Sequence, residues 1–186
     1  MKLRTTVLFT LFLLCLPGRA FGQKISLKTN LAYWVTATPN LTAEFALTPK
    51  MTLEVGLGYN PFITGEEKSF EHLMVQPELR WWFFRPLAGM FVGFHLHGGI
   101  YDAGGVGPIK TLKDSRYDGW LAGAGISVGY HWLLSARWGI ECEAGVGYAY
   151  MKYDKTGADT AGQPVKFENS YFGPTRLNLS IVYYLK

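Results

Sequence analysis

The chain has 186 residues, of which 48% are hydrophobic, 17% charged and 16% aromatic, with 22 glycines and a formal net charge of +4. That length fits one domain; a hydrophobic share near the globular average excludes a disordered chain, and glycines without a fixed period exclude collagen. Beyond residue 22 no apolar run approaches the roughly 20 residues of a membrane helix, which excludes a helical bundle in the bilayer.

Lys2 and Arg4 give the chain a positive start, the apolar run Val7 to Leu16 follows, and Pro17-Gly18 ends it. Ala20 and Gly22 then place small residues just before a cut ahead of Gln23. Residues 1–22 therefore read as a cleaved signal peptide and 23–186 as the mature domain. A lipoprotein anchor at Cys15 would need a small residue before it, where Leu14 stands. Losing Lys2, Arg4 and Arg19 takes the 18 basic residues to 15, against 14 acids. The basicity belongs to the signal, and no basic patch for nucleic acid remains. Cys142 is left without a partner for an intramolecular disulfide.

Eight segments follow with strand-type alternation. In chain order their apolar faces run Ile25 to Val35, Leu41 to Leu47, Leu53 to Tyr59, Leu73 to Phe83, Val92 to Ile100, Trp120 to Tyr130, Ile140 to Tyr148 and Leu177 to Leu185. No segment reads as a helix. The connections alternate as well: tight turns near Thr48 to Lys50, Arg85 to Gly89 and Leu133 to Arg137, against long ones at Asn60–His72, Asp102–Asp118 and Tyr153–Ser170. Short turns on one side, long loops on the other and about ten alternating residues per strand predict an all-β, eight-stranded, antiparallel up-and-down transmembrane β-barrel.

A soluble sandwich or a ligand-carrying barrel shares the alternation, and three features separate them. The polar face carries Glu44, Glu54, Glu78, Arg80, Glu141, Glu143 and Arg176 among repeated glycines, which suits a crowded lumen. The apolar face continues across eight strands and is too extensive to leave in water. Aromatic residues gather at strand ends, with Trp81, Phe83, Trp132 and Trp138 toward the tight turns and Tyr33, Tyr59, Trp120, Tyr148 and Tyr171 toward the loops. Two membrane interfaces favour that arrangement, which places the chain in a bacterial outer membrane.

The ordered segments Lys28-Thr29-Asn30-Leu31, Gly56-Leu57-Gly58-Tyr59-Asn60-Pro61, Gln76-Pro77-Glu78-Leu79-Arg80-Trp81-Trp82, Tyr117-Asp118-Gly119-Trp120, Gly145-Val146-Gly147-Tyr148 and Tyr171-Phe172-Gly173-Pro174-Thr175 resemble a Bacteroides-type outer-membrane β-barrel family of unknown function. The resemblance spans nearly all of the mature chain. It implies a small barrel similar in architecture to those of OmpA and OmpX, with no catalytic residues to carry over. Some relatives are encoded near surface-fimbria components, so it also implies an accessory role in fimbria assembly as a second reading.

Several constellations are weighed against plainer roles. His95 and His97 share a strand face about 6.8 Å apart, and with His131 and Glu143 a zinc or copper site is imaginable; histidines that fill a polar lumen and hydrogen-bond to its carboxylates are the favoured reading, and no metal or cofactor is expected. Ser127 and His131 stand four residues apart, roughly 13 Å along a strand, too far for a nucleophile and its base; no enzyme is expected. Gly56 to Tyr59 and Gly145 to Tyr148 lack the third glycine and the helix of a dinucleotide loop. Cys142 shares the outward face of Ile140 and Ala144. Asp159-Thr160-Ala161 resembles the O-glycosylation signal of Bacteroides-type bacteria, which makes Thr160 a candidate modification site, although so short a motif also occurs by chance. Lys110, Lys113 and Arg116 give one loop a basic character that reads first as a solvated charge run and second as suited to lipopolysaccharide phosphate.

By parity Lys28, Glu44, Glu54, Glu78, Arg80, Glu141, Glu143 and Arg176 point into the lumen. Carboxylates buried without partners are costly. Arg80 and Arg176 are therefore expected to bridge several glutamates each, guanidinium being suited to paired contacts. The expected role is structural or surface-interacting, through the outer loops, with outer-membrane lipid, lipopolysaccharide and surface or fimbrial proteins as partners.

Overall fold

A computed structural model describes residues 25–61, 69–104, 115–157 and 163–185. The elements are β1 (Ile25–Asn30), α1 (Leu31–Val35), β2 (Asn40–Ala46), β3 (Met51–Asn60), β4 (Ser69–Trp82), β5 (Gly89–Gly104), β6 (Ser115–Leu133), β7 (Trp138–Gly157) and β8 (Val165–Leu185). Each strand pairs antiparallel with the next, and β1 pairs with β8 from Ile25 opposite Leu185 to Asn30 opposite Ser180, closing the sheet into a ring. The alternation explains the pairing: every second side chain of each strand enters the ring and the others face out. Outward apolar residues are well exposed, Leu177 at 68% and Ile126 at 63%.

Two expectations about the elements need correction. The apolar alternation ran the first strand to Val35, but β1 stops at Asn30. There the Asn30 side chain accepts from the Ala32 backbone N–H at 3.0 Å, and Trp34 Nε1 donates to Thr29 Oγ1 at 2.8 Å. An asparagine that caps the next turn competes with the ladder and wins, starting the five-residue helix α1. Tyr33 consequently leaves the outer rim: its ring lies against Gly58 and its hydroxyl donates to Gln76 Oε1 at 3.2 Å.

The long connections are also shorter than the sequence suggested. β4 begins at Ser69, β5 continues to Gly104, β6 begins at Ser115, β7 reaches Gly157 and β8 begins at Val165. Polar and charged residues in these stretches hide the strands, because two wet faces leave no alternation to read. One wall of the ring is therefore tall, with 16 to 21 residues in β5 to β8. The opposite wall is low, with 6 to 10 in β1 to β3. A bulge sets the tall wall's orientation: Gly145 lies opposite Arg176 but Val146 opposite Pro174. The extra residue, Thr175, reverses the parity of β8 above it. Tyr171 thus sits on the concave side over Gly173, not on the outer rim.

Tight turns close the other end. Thr48 Oγ1 accepts from Met51 N at 3.0 Å, and Ser135 Oγ accepts from Trp138 N at 3.1 Å, so each hydroxyl stands in for a ladder bond. Leu87 and Gly89 take positive φ in the β4–β5 turn, tucking Leu87 under the ring. Trp82, Phe91 and Leu87 form an apolar floor there, with Tyr184 packed against it. The polar-lumen expectation missed this floor, although Trp82 follows the parity of Glu78 and Arg80.

Candidate functional site

Every residue of the expected lumen network is inside the ring and buried: Lys28, Glu44, Glu54, Glu78, Arg80, Glu141, Glu143 and Arg176. They come from β1, β2, β3, β4, β7 and β8, so the cluster ties nearly the whole circumference together. Arg80 is the centre. Its Nη1 lies 2.7 Å from Glu54, 3.0 Å from Glu141 and 3.2 Å from Glu44, its Nη2 lies 2.8 Å from Glu143, and its Nε lies 3.1 Å from Glu78. The same guanidinium stacks 4.2 Å over the Phe91 ring, joining network to floor. Arg176 pairs with Glu54, with Glu78 at 3.0 Å and with Glu143 at 2.9 Å. Lys28 pairs with Glu44, with Glu54 at 2.8 Å and with Glu141 at 2.7 Å.

Three cations face five carboxylates, and neutral donors make up much of the difference. Thr52 donates to Glu44, Ser127 donates to Glu78, and Asn178 Nδ2 donates to Glu143 at 2.7 Å. His131 Nδ1 lies 3.0 Å from Glu141 while Tyr184 Oη bonds its Nε2. Sequence parity could have found Thr52, Asn178 and Tyr184, since all three share the inward face. Without a charge they carried no signal. The inward glycines make the room: a Cβ on Gly93 would occupy the place of the Glu78 carboxylate, and one on Gly125 would strike His95 Nε2.

Glu54, Glu78 and Glu143 bring carboxylate oxygens within 4.8 Å of one another. Guanidinium nitrogens of Arg80 and Arg176 already occupy that space. The histidine constellation separates. His95 and His97 stay together, ring centroids 5.6 Å apart, and His95 Nε2 lies 2.9 Å from Thr175 Oγ1. His131 sits at the floor with Glu141 and Tyr184 instead, its ring 6.0 Å from that of Trp82. Ser127 and His131 likewise serve different partners, Glu78 and Glu141.

Above the network the lumen narrows to a cavity of about 20 Å³, lined among others by Asn30, Tyr33, Gln76, Arg176 and Asn178. A water needs roughly 10–15 Å³, so that space suits one or two ordered waters.

The tall wall is built differently. Tyr117, Tyr153 and Phe167 form a ladder on its concave side across β6, β7 and β8, with centroid separations of 5.6 and 5.8 Å. On the convex side Lys152 Nζ bonds Glu168 Oε1 at 2.7 Å. That hydrogen bond, and a second from Tyr150, hold the Glu168 carboxyl below the ordinary carboxylate range. Arg116 pairs with Asp102 through two nitrogens, and the hydrogen bond raises the Arg116 pKa. Of the three basic residues of that loop, Arg116 therefore already has an acidic partner. Lys110 and Lys113 lie outside the described residues, as do Thr160 and residues 1–22, where the signal peptide is expected. Cys142 faces outward and is exposed.

No curated protein and no solved structure matches the chain. A family model described as "Protein of unknown function (DUF3575)" matches residues 6–185, and the chain belongs to that family.

Proposed function

We propose that the chain is a non-enzymatic outer-membrane β-barrel, with its tight turns toward the periplasm and its tall wall and longer connections acting at the cell surface in a structural or adhesive role. One observation carries the reading: the ring is inverted relative to a water-soluble barrel. Arg80 and Glu44 are fully buried, whereas Phe94 is 54% and Leu41 56% exposed on the outside. In water such a continuous apolar surface is a liability; in a bilayer, polar inside and apolar outside is the stable arrangement. Exposed Trp81, Trp132 and Trp138 at the tight-turn end and Tyr59, Trp120 and Tyr148 toward the other supply interfacial rings.

The filled lumen argues against conduction. Eight strands leave an interior just wide enough for side chains, and here the side chains are bonded to one another. Outer-membrane lipid and the phosphates of lipopolysaccharide are the natural surroundings of such a surface. Density-gradient fractionation of cells carrying the full chain provides the test, together with a gel comparison of heated and unheated samples. The chain is expected in the outer-membrane fraction with a heat-dependent change in migration. Recovery in the soluble fraction overturns the proposal, and steady large currents in planar bilayers overturn its closed-lumen part.

A further inference from the structure

β8 runs from Val165 to Leu185, but β1 covers only its last six residues, Ser180 to Leu185. Above them one side of β8 pairs with β7, and the other has no strand beside it among the described residues. Residues 165–172 are all exposed. Pro174 fixes which backbone groups face the open side. Proline has no N–H to give the ladder, so it stands with its nitrogen turned away from β7, and Phe172, Ser170, Glu168 and Lys166 turn the same way by alternation. An open edge of this kind is a template for another strand.

The edge is self-complementary in one register. Ser170 N–H is already held by Asn169 Oδ1 at 2.8 Å, and Pro164 has no N–H. Between these two stops Lys166 and Glu168 alone offer both donor and acceptor. Antiparallel pairing of two copies about Phe167 sets each Lys166 opposite the other copy's Glu168. That makes two hydrogen-bonded pairs and two opposite-charge pairs on the convex face. Sliding by one step of the alternation to centre on Glu168 puts the two carboxylates against each other, which is unfavourable. A further step sets Glu168 against the blocked Ser170.

We propose that this edge is a homodimer interface, in which β8 of one copy pairs with β8 of a second about a two-fold axis through Phe167, the two phenyl rings extending the Tyr117–Tyr153–Phe167 ladder from one wall into the next. The inference needs only the wall above the ring and not insertion of the ring. Antiparallel pairing points the two rings in opposite directions, so the dimer joins copies that face each other from two apposed membranes. It is tested in detergent micelles, where copies meet in either orientation, and between phospholipid vesicles, so failure of insertion and failure of pairing are read separately.

The test is site-directed crosslinking of the full chain carrying Cys142→Ser. A non-hydrogen-bonded antiparallel pair brings Cα atoms to about 4.5 Å, within disulfide reach, so Phe167→Cys is expected to give a disulfide-linked dimer on mild oxidation. Phe172→Cys, 79% exposed in the parent chain, is expected to stay monomeric because in this register the two copies of residue 172 are roughly 34 Å apart along the strands. Adding Lys166→Glu to Phe167→Cys should slow crosslinking roughly tenfold, and adding Glu168→Lys to that should restore it. Equal crosslinking at 167 and 172, or no rescue by the double swap, overturns the proposal. Sedimentation of the unsubstituted chain decides independently should Phe167→Cys misfold: a concentration-dependent dimer lost with Lys166→Glu supports the interface, and a monomer throughout overturns it.

Discussion

Arg80 and Glu143 are joined at 2.8 Å inside the ring, and Lys152 and Glu168 are joined at 2.7 Å on the tall wall. Distance hardly separates the two pairs. The first has both side chains fully buried, whereas the second leaves 45% and 56% of its side chains exposed. Water screens the outer pair and can solvate either partner alone, so exposed pairs contribute little. The inner pair has no such refuge: its formation roughly balances the cost of desolvation, but removing one partner strands the other. The same contact is therefore a fastening in one region and an ornament for stability in the other, free in the second to serve recognition.

The largest break in this comparison is Arg80→Met. It leaves five glutamates with only Lys28 and Arg176 as charged partners and is expected to cost roughly 3–5 kcal/mol, read as a lowered midpoint in urea unfolding of the chain refolded in vesicles. Arg80→Lys sharpens the point, since it keeps the charge but cannot reach Glu78, Glu143 and Glu54 with separate nitrogens; a loss close to that of Arg80→Met is expected. If Arg80→Met leaves the midpoint unchanged, the lumen is wet and the contrast with the outer wall collapses. Trp82→Ala tests the floor. The ring is fully buried, 4.8 Å from Phe91, and its Nε1 donates to Thr52 at 2.8 Å. Its loss should cost about 3 kcal/mol, at the low end for a buried aromatic because Leu87 and Phe91 can settle into part of the space.

Much of this was legible in the alternation. The inward set from Lys28 to Arg176 follows from parity wherever one face is greasy and the other charged, and arginine as the bridging group follows from the excess of carboxylates. Three things were not legible. The floor was hidden because Trp82 and Phe91 are apolar on a face read as polar, and only closure of the ring at that end makes apolar residues the right filling. The bulge at Thr175 was hidden because a single extra residue leaves no mark in composition, yet it decides that Thr175 meets His95 and that Tyr171 faces inward. The tall wall was hidden because its strands have two solvated faces, so Lys152, Asp154, Lys166 and Glu168 resemble loop residues.

Packing room in the lumen gives a smaller effect. Gly93 lies beneath the Glu78 carboxylate and beside Ser127 Oγ, so Gly93→Ala should displace the Ser127-to-Glu78 contact and cost about 1–3 kcal/mol, in the range for overpacking. Pairing it with Glu78→Gln distinguishes crowding from charge. The amide fills the same volume, so the crowding penalty should persist and the two changes should not cancel. Cancellation would mean that repulsion among the glutamates, not space, sets the limit here.

The smallest effect is expected on the outer wall. Glu168 has its carboxyl held below its ordinary range by Lys152 and then Tyr150. A depressed folded pKa stabilises the folded state above the carboxyl's unfolded value, and that share is lost as pH falls through the folded value. The group is exposed, so salt and water reduce the share. Lys152→Ala should leave the urea midpoint of the monomer where it was at neutral pH, and the difference from the parent chain should stay flat as pH is lowered past the carboxylate range. A clear fall in midpoint at neutral pH that disappears in acid would give this surface pair a stabilising weight comparable to the lumen's. The tall wall would then be part of what holds the ring together, and not the region set free by it.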